Sequence, residues 1–123
     1  MKNILVADDN SANRELIRAI LEREGYDVRA AADGHDAIAQ FRSATPDLLL
    51  LDIHMPGLDG YGVLHAIRQT AVGERVPAVA LTASAMAGDE ERALSSGFDA
   101  YLAKPYEVAE VIALVRRLLA AAA

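Results

Sequence analysis

The sequence predicts an α/β domain of five β-α units, with a parallel sheet covered by helices on both faces. Two observations carry this. Short apolar runs alternate with longer segments whose apolar residues recur at helical spacing. Three of the short runs are apolar throughout, as strands buried on both faces should be. Such alternation gives parallel strands joined by right-handed crossovers.

The elements follow in order. Ile4-Leu5-Val6-Ala7 reads as a buried strand. Leu16, Ile17, Ile20 and Leu21 then fall on one helical face. Asn10 or Ser11 can cap that helix, and Gly25 can end it in a left-handed conformation. Tyr26 to Ala31 is a second strand, weaker because it is half alanine and charge. Ala37, Ile38 and Phe41 mark a short helix entered through Asp33-Gly34. Leu48 to Leu51 could be helix or strand by periodicity, and punctuation by Pro46 and Pro56 favours strand. Val63, Leu64 and Ile67 mark a third helix with Gly60 near its start. Pro77 opens a fourth strand, Ala78 to Leu81. Glu90 to Ser96 reads as helix, with Gly97 as its cap. Ala100-Tyr101-Leu102 is a short fifth strand. Val108, Val111, Ile112, Val115, Leu118 and Leu119 give a long amphipathic helix that frays into Ala120 to Ala123.

The 123 residues fit one domain spanning 1–123. There is no Cys, which fits a reducing compartment. The apolar run after Met1-Lys2-Asn3 has only four residues, too short for a leader or a membrane span. The expectation is a soluble cytoplasmic protein. A formal charge of -6 disfavours direct nucleic-acid binding, which usually needs a basic face. Ten of the twelve cationic residues are arginine. Against that bias, Lys104 before Pro105 hints that an ammonium is wanted there.

Open α/β sheets bind ligands at the carboxyl ends of their strands. Asp8 and Asp9 follow the first strand, Asp52 the third, Thr82 the fourth and Lys104 the fifth. Each alone has a plain structural explanation. An Asp past a strand often caps a helix, Asp52 could start a turn, and Thr82 is a common strand-end residue. The conjunction at one sheet edge is what points to a site. Three packed carboxylates repel unless a cation joins them. Hard oxygen ligands suit magnesium. With a divalent ion and Lys104 the charges balance, and the site can accept an anionic phosphoryl group. Lys104 and the Thr82 hydroxyl can each approach a phosphoryl oxygen.

These residues resemble the receiver domain of bacterial two-component response regulators. The likeness runs through Val6 to Asn10, Leu51 to Gly60, Ala80 to Ala83 and Tyr101 to Pro105, and spans the chain. It implies a flavodoxin-like (βα)5 three-layer sandwich with strand order 2-1-3-4-5. Asp52 would be the phosphoacceptor, charged by the phosphohistidine of a sensor histidine kinase or phosphotransfer protein. Asp8, Asp9, Asp52 and the backbone carbonyl of His54 would hold Mg2+. Lys104 would pair with the phosphoryl group, Thr82 would move toward it, and Tyr101 would turn inward behind it. That movement would remodel the fourth helix, fifth strand and fifth helix, where a downstream protein partner would dock. The resemblance implies a phosphorylation-controlled signalling domain rather than an enzyme, as a monomer or weak phosphorylation-dependent dimer. The bond before Pro105 would be cis. His54 would tune the phosphoryl lifetime, while His35 and His65 read as solvated surface residues.

Ala85 to Arg92 resembles both stand-alone receivers of cell-cycle and polarity control and receivers of hybrid kinases. The start at Met1, directly before the first strand, favours a stand-alone protein. A flavin or nucleotide module would need a glycine-rich anion cradle after the first strand, and Asp8-Asp9-Asn10 stands there instead. A magnesium phosphohydrolase would place a second acid two residues after its nucleophile, and Asp52-Ile53-His54 lacks it.

Overall fold

The computed structural model describes residues 1–82 and 88–122. Strands and helices alternate as β1 (Asn3–Ala7), α1 (Ser11–Arg23), β2 (Asp27–Ala31), α2 (Gly34–Ser43), β3 (Leu48–Asp52), α3 (Gly60–Arg68), β4 (Ala78–Thr82), α4 (Asp89–Ser95), β5 (Ala100–Ala103) and α5 (Val108–Ala122). The sheet is parallel throughout, in the order β2-β1-β3-β4-β5. This is the flavodoxin-like sandwich the resemblance implies.

Successive residues of a strand face opposite sides of the sheet. Leu5, Ala7, Leu49, Leu51, Ala78 and Ala80 pack into one core with α2, α3 and Ala93 of α4. Ile4, Val6, Leu48, Leu50, Val79 and Leu81 pack into the other with α1 and α5. β1, β3 and β4 are thus apolar on both faces because both faces are covered.

β2 lies at the sheet edge, which explains its weak signal. Its Arg29 guanidinium donates to the backbone carbonyls of Gln40 and Ala44 and so ties the edge to α2. α1 starts where Asn10 accepts a hydrogen bond from the Asn13 amide at 3.0 Å. Gly25 then turns the chain at φ 94°, a left-handed conformation that glycine adopts without cost.

Two apolar positions depart from expectation. Leu16 is 46% exposed and Val108 53% exposed. Ile17, Ile20 and Leu21 alone bury the α1 stripe. Val108 opens α5 ahead of the buried residues Val111, Val115 and Leu119. β3 and β4 also each run one residue further than expected. Asp52 and Thr82 are their last residues, because the ladder extends to Asp52 opposite Leu81 and Thr82 opposite Ala103. Among the described residues, no helix is long and apolar enough to cross a membrane.

Candidate functional site

The carboxyl ends of β1, β3, β4 and β5 converge at one edge. The Asp8 amide donates to the Ala31 carbonyl at 3.1 Å, which fixes Asp8 at the end of β1. Ile53 donates to Leu81 at 3.0 Å and Lys104 to Thr82 at 2.7 Å, so the ladder holds the chain up to both expected site positions. The peptide bond from Lys104 to Pro105 is cis.

One ligand oxygen from each of Asp8, Asp9 and Asp52 lies within 4.8 Å of the others. Asp8 and Asp52 are buried, and Asp9 faces solvent. Lys104 bridges the two buried acids. Its Nζ lies 3.0 Å from Asp8 Oδ2 and 3.3 Å from Asp52 Oδ2. The Asp52 contact has hydrogen-bond geometry. The Asp8 contact has ion-pair distance only, and Asp8 Oδ2 is left buried without a donor at a hydrogen-bonding angle. The other oxygens are held by backbone. Asp52 Oδ1 accepts from the His54 amide at 2.9 Å, and Asp8 Oδ1 from the Asn10 amide at 2.9 Å.

The electrostatics follow from this packing. Burial pushes the Asp8 carboxyl above its ordinary range; the Asn10 amide and Lys104 oppose that, and the Asp52 charge adds to it. Burial would lower the Lys104 ammonium, but the Asp8 and Asp52 carboxylates outweigh it and hold it above its usual value. Three carboxylates against one ammonium leave a surplus of negative charge. An all-oxygen cluster with this surplus of charge, open on the Asp9 side, fits a hard divalent cation. Asp8, Asp9 and Asp52 are the side chains that could hold it.

Thr82 is fully buried at the end of β4, beside β5, the strand that carries Tyr101. Tyr101 is half-buried against the core that contains Phe98. All the expected side chains are therefore brought to one edge. His54, His35 and His65 are exposed. Ala83 to Ala87, which include the first three residues of the segment resembling two receiver groups, lie outside the described residues.

Three contributors escape sequence reasoning. The Arg14 guanidinium donates to the Asp8 carbonyl at 2.8 Å and steadies the loop after β1. Gly60 backs onto the Asp52 carbonyl so closely that an added Cβ would lie 2.6 Å from it. Among the described residues the Tyr106 hydroxyl is buried without a partner, and burial together with the Asp8 and Asp52 charges raises it. Only Gly60 left a trace, as a glycine placed where a helix should begin.

The fold and the cluster define an α/β domain with an acidic, cation-ready site at the carboxyl edge of its sheet. The chain belongs to the response regulator receiver domain family, whose pattern matches residues 4–116. It is 34% identical over 118 residues to the polar-differentiation response regulator DivK of Brucella anthropi, covering 96% of each chain. It is 40% identical over 116 residues to the transcriptional regulatory protein TrcR of Mycobacterium tuberculosis, covering 94% of this chain but 44% of TrcR. It thus spans about half the length of some curated relatives. Among solved structures, the receiver domain of the sensor histidine kinase PA1611 from Pseudomonas aeruginosa PAO1 superposes with a TM-score of 0.89. The two are 39% identical over 97% of this chain and 98% of that one, and the PA1611 structure has a magnesium ion in its active-site cleft. Members of the family are signalling domains rather than classical enzymes, and they bind Mg2+ in an acidic pocket.

Proposed function

We propose that this chain is a single receiver domain working in the cytoplasm, with Asp52 as its phosphoacceptor. The observation that supports this best is Lys104, an ammonium drawn to both buried carboxylates and separated from Thr82 by one strand end. The phosphodonor is a sensor histidine kinase or phosphotransfer protein. An Asp52 oxygen attacks phosphorus, a P–O bond forms as the P–N bond of phosphohistidine breaks, and the imidazole leaves.

Asp8, Asp9, Asp52 and the His54 carbonyl would hold Mg2+. When bound, the ion supplies positive charge that offsets the carboxylates and the phosphoryl oxygens. Lys104 follows the charge from the carboxylate to the phosphoryl group. The Thr82 hydroxyl donates to another phosphoryl oxygen, and Tyr101 on the neighbouring strand carries that change to the surface of α4, β5 and α5. A downstream protein reads that surface. His54, exposed two residues beyond Asp52, tunes how fast water attacks the acyl phosphate; a dephosphorylation rate unchanged in His54→Ala would remove it from that role.

The test is labelling by a small phosphodonor with magnesium. This reading expects one phosphoryl group per chain, followed by slow self-hydrolysis. Continuous turnover of a phosphate ester, abolished in Asp52→Asn, would instead make the protein a phosphohydrolase.

A further inference from the structure

We infer that Leu58 is a positioning residue for the His54 carbonyl: seated on Gly34 and Gly62, it holds closed the loop that would present that carbonyl to magnesium. The loop runs from the end of β3 to the start of α3. It closes on itself, because Gly60 backs onto the Asp52 carbonyl, where an added Cβ would lie 2.6 Å away. The near arm is anchored twice. The His54 amide donates to Asp52 Oδ1 at 2.9 Å, and Ile53 and Met55, on either side of His54, are buried in the core.

The far arm needs its own anchor. Pro56 and Gly57 are exposed, and Gly57 turns the chain at φ 76°. Leu58 comes next, half-buried against the same core. Two glycines from two helices make room for it. A Cβ on Gly34, the first residue of α2, would overlap the Leu58 carbonyl and come within 2.9 Å of Val63 Cγ2. A Cβ on Gly62, in the first turn of α3, would overlap Leu58 Cδ1. Glycine is a poor helix former, and here its missing side chain is what lets Leu58 seat.

A shift of Leu58 has one direction in which to travel. Downstream, Asp59 Oδ1 accepts from the Gly62 amide at 2.9 Å and starts α3, and Gly60 is fixed on Asp52. The displacement therefore passes back through Gly57 and Pro56 toward His54. Leu58 acts through the backbone and does not itself touch the metal.

This inference rests on the proposed magnesium site, and the experiment separates the two. Leu58→Ala, Gly62→Ala, the double variant and Leu58→Met are titrated with magnesium alone by NMR, and the His54 carbonyl carbon is also recorded without metal. Ile67→Val, a core change in the last turn of α3, controls for lost stability. Labelling of wild type by a small phosphodonor runs alongside. Leu58→Ala should weaken magnesium binding roughly tenfold, the lower end of the cost of losing a metal ligand's support. It should also move the His54 signal before any metal is added. Gly62→Ala should weaken binding too, because its methyl displaces Leu58 Cδ1. On the Leu58→Ala background it should add no further loss, since the displaced group is gone. Leu58→Met, similar in volume and more flexible, should stay near wild type. Unchanged affinity and an unchanged His54 signal in Leu58→Ala, with only a lower melting temperature, would overturn the inference. So would additive losses, or an equal loss in Ile67→Val. If wild type binds magnesium but takes no label, the phosphoacceptor reading fails, and the affinities still decide the role of Leu58. If wild type binds no magnesium, that role is overturned outright.

Discussion

Lys104 and Asp52 stand 52 positions apart in the chain, yet Nζ lies 3.3 Å from Oδ2. The contact crosses the end of β4 and joins the loop after β5 to β3. The same ammonium lies 3.0 Å from Asp8, so it offsets part of the charge of the buried acids. A cation and Lys104 therefore act on one cluster, and several consequences can be measured.

Asp8 is buried, and burial disfavours its charge. In metal-free buffer, Asp8→Asn should raise stability by on the order of 1 kcal/mol, because a desolvated like charge is removed. The variant should also lose most of the stabilisation by magnesium. Wild type should gain about 1.4 kcal/mol when magnesium is roughly tenfold above its dissociation constant. Melting curves with and without magnesium test both halves.

Gly60→Ala should harm fold and site together. The new Cβ would lie 2.6 Å from the Asp52 carbonyl and 2.9 Å from Ile53 Cα, which is backbone and cannot step aside cheaply. The expected loss is about 1–3 kcal/mol, with slower labelling of Asp52. Denaturant unfolding gives the first quantity and intact mass the second.

Arg68 allows the opposite separation. At the far edge of the sheet its guanidinium donates to the Val76 carbonyl at 2.6 Å and to the Gly97 carbonyl and Asp99 at 3.2 Å. Arg68→Ala leaves the part-buried Val76 carbonyl without this donor, while Asp99 keeps the Ala78 amide, and should cost about 2 kcal/mol. The labelling rate of the folded fraction should not change.

Tyr106 gives a pH dependence. Burial, then the Asp8 and Asp52 charges, raise its hydroxyl above the ordinary value. The folded state thus favours neutral tyrosine. This contribution is fully present below the unfolded pKa of about 10 and is lost above it, as the unfolded chain ionises first. Tyr106→Phe should flatten the alkaline loss of stability. Because the hydroxyl is buried without a partner among the described residues, the variant should also be about 1 kcal/mol more stable at neutral pH. Urea melts at neutral pH and above pH 10 decide it.

The strand ends and their acids were legible because they depend on composition and order. Ile4 to Ala7 and Leu48 to Leu51 are apolar on both faces, and few sheet positions demand that. β2 was faint because an edge strand can keep Arg29, whose guanidinium is satisfied by α2. The strand order came from the resemblance, since periodicity does not say which strands are neighbours. Arg14 and Tyr106 were invisible for another reason. Each depends on where a long side chain ends in space, and no local pattern records that. Leu16 and Val108 show the converse limit: they share the helical spacing but not the burial.

The central claim is that Asp52 takes the phosphoryl group. Its most direct test is the intact mass of wild type and Asp52→Asn after incubation with a small phosphodonor and magnesium. Wild type should gain one phosphoryl group, and Asp52→Asn none. A single added group on both proteins would contradict the claim.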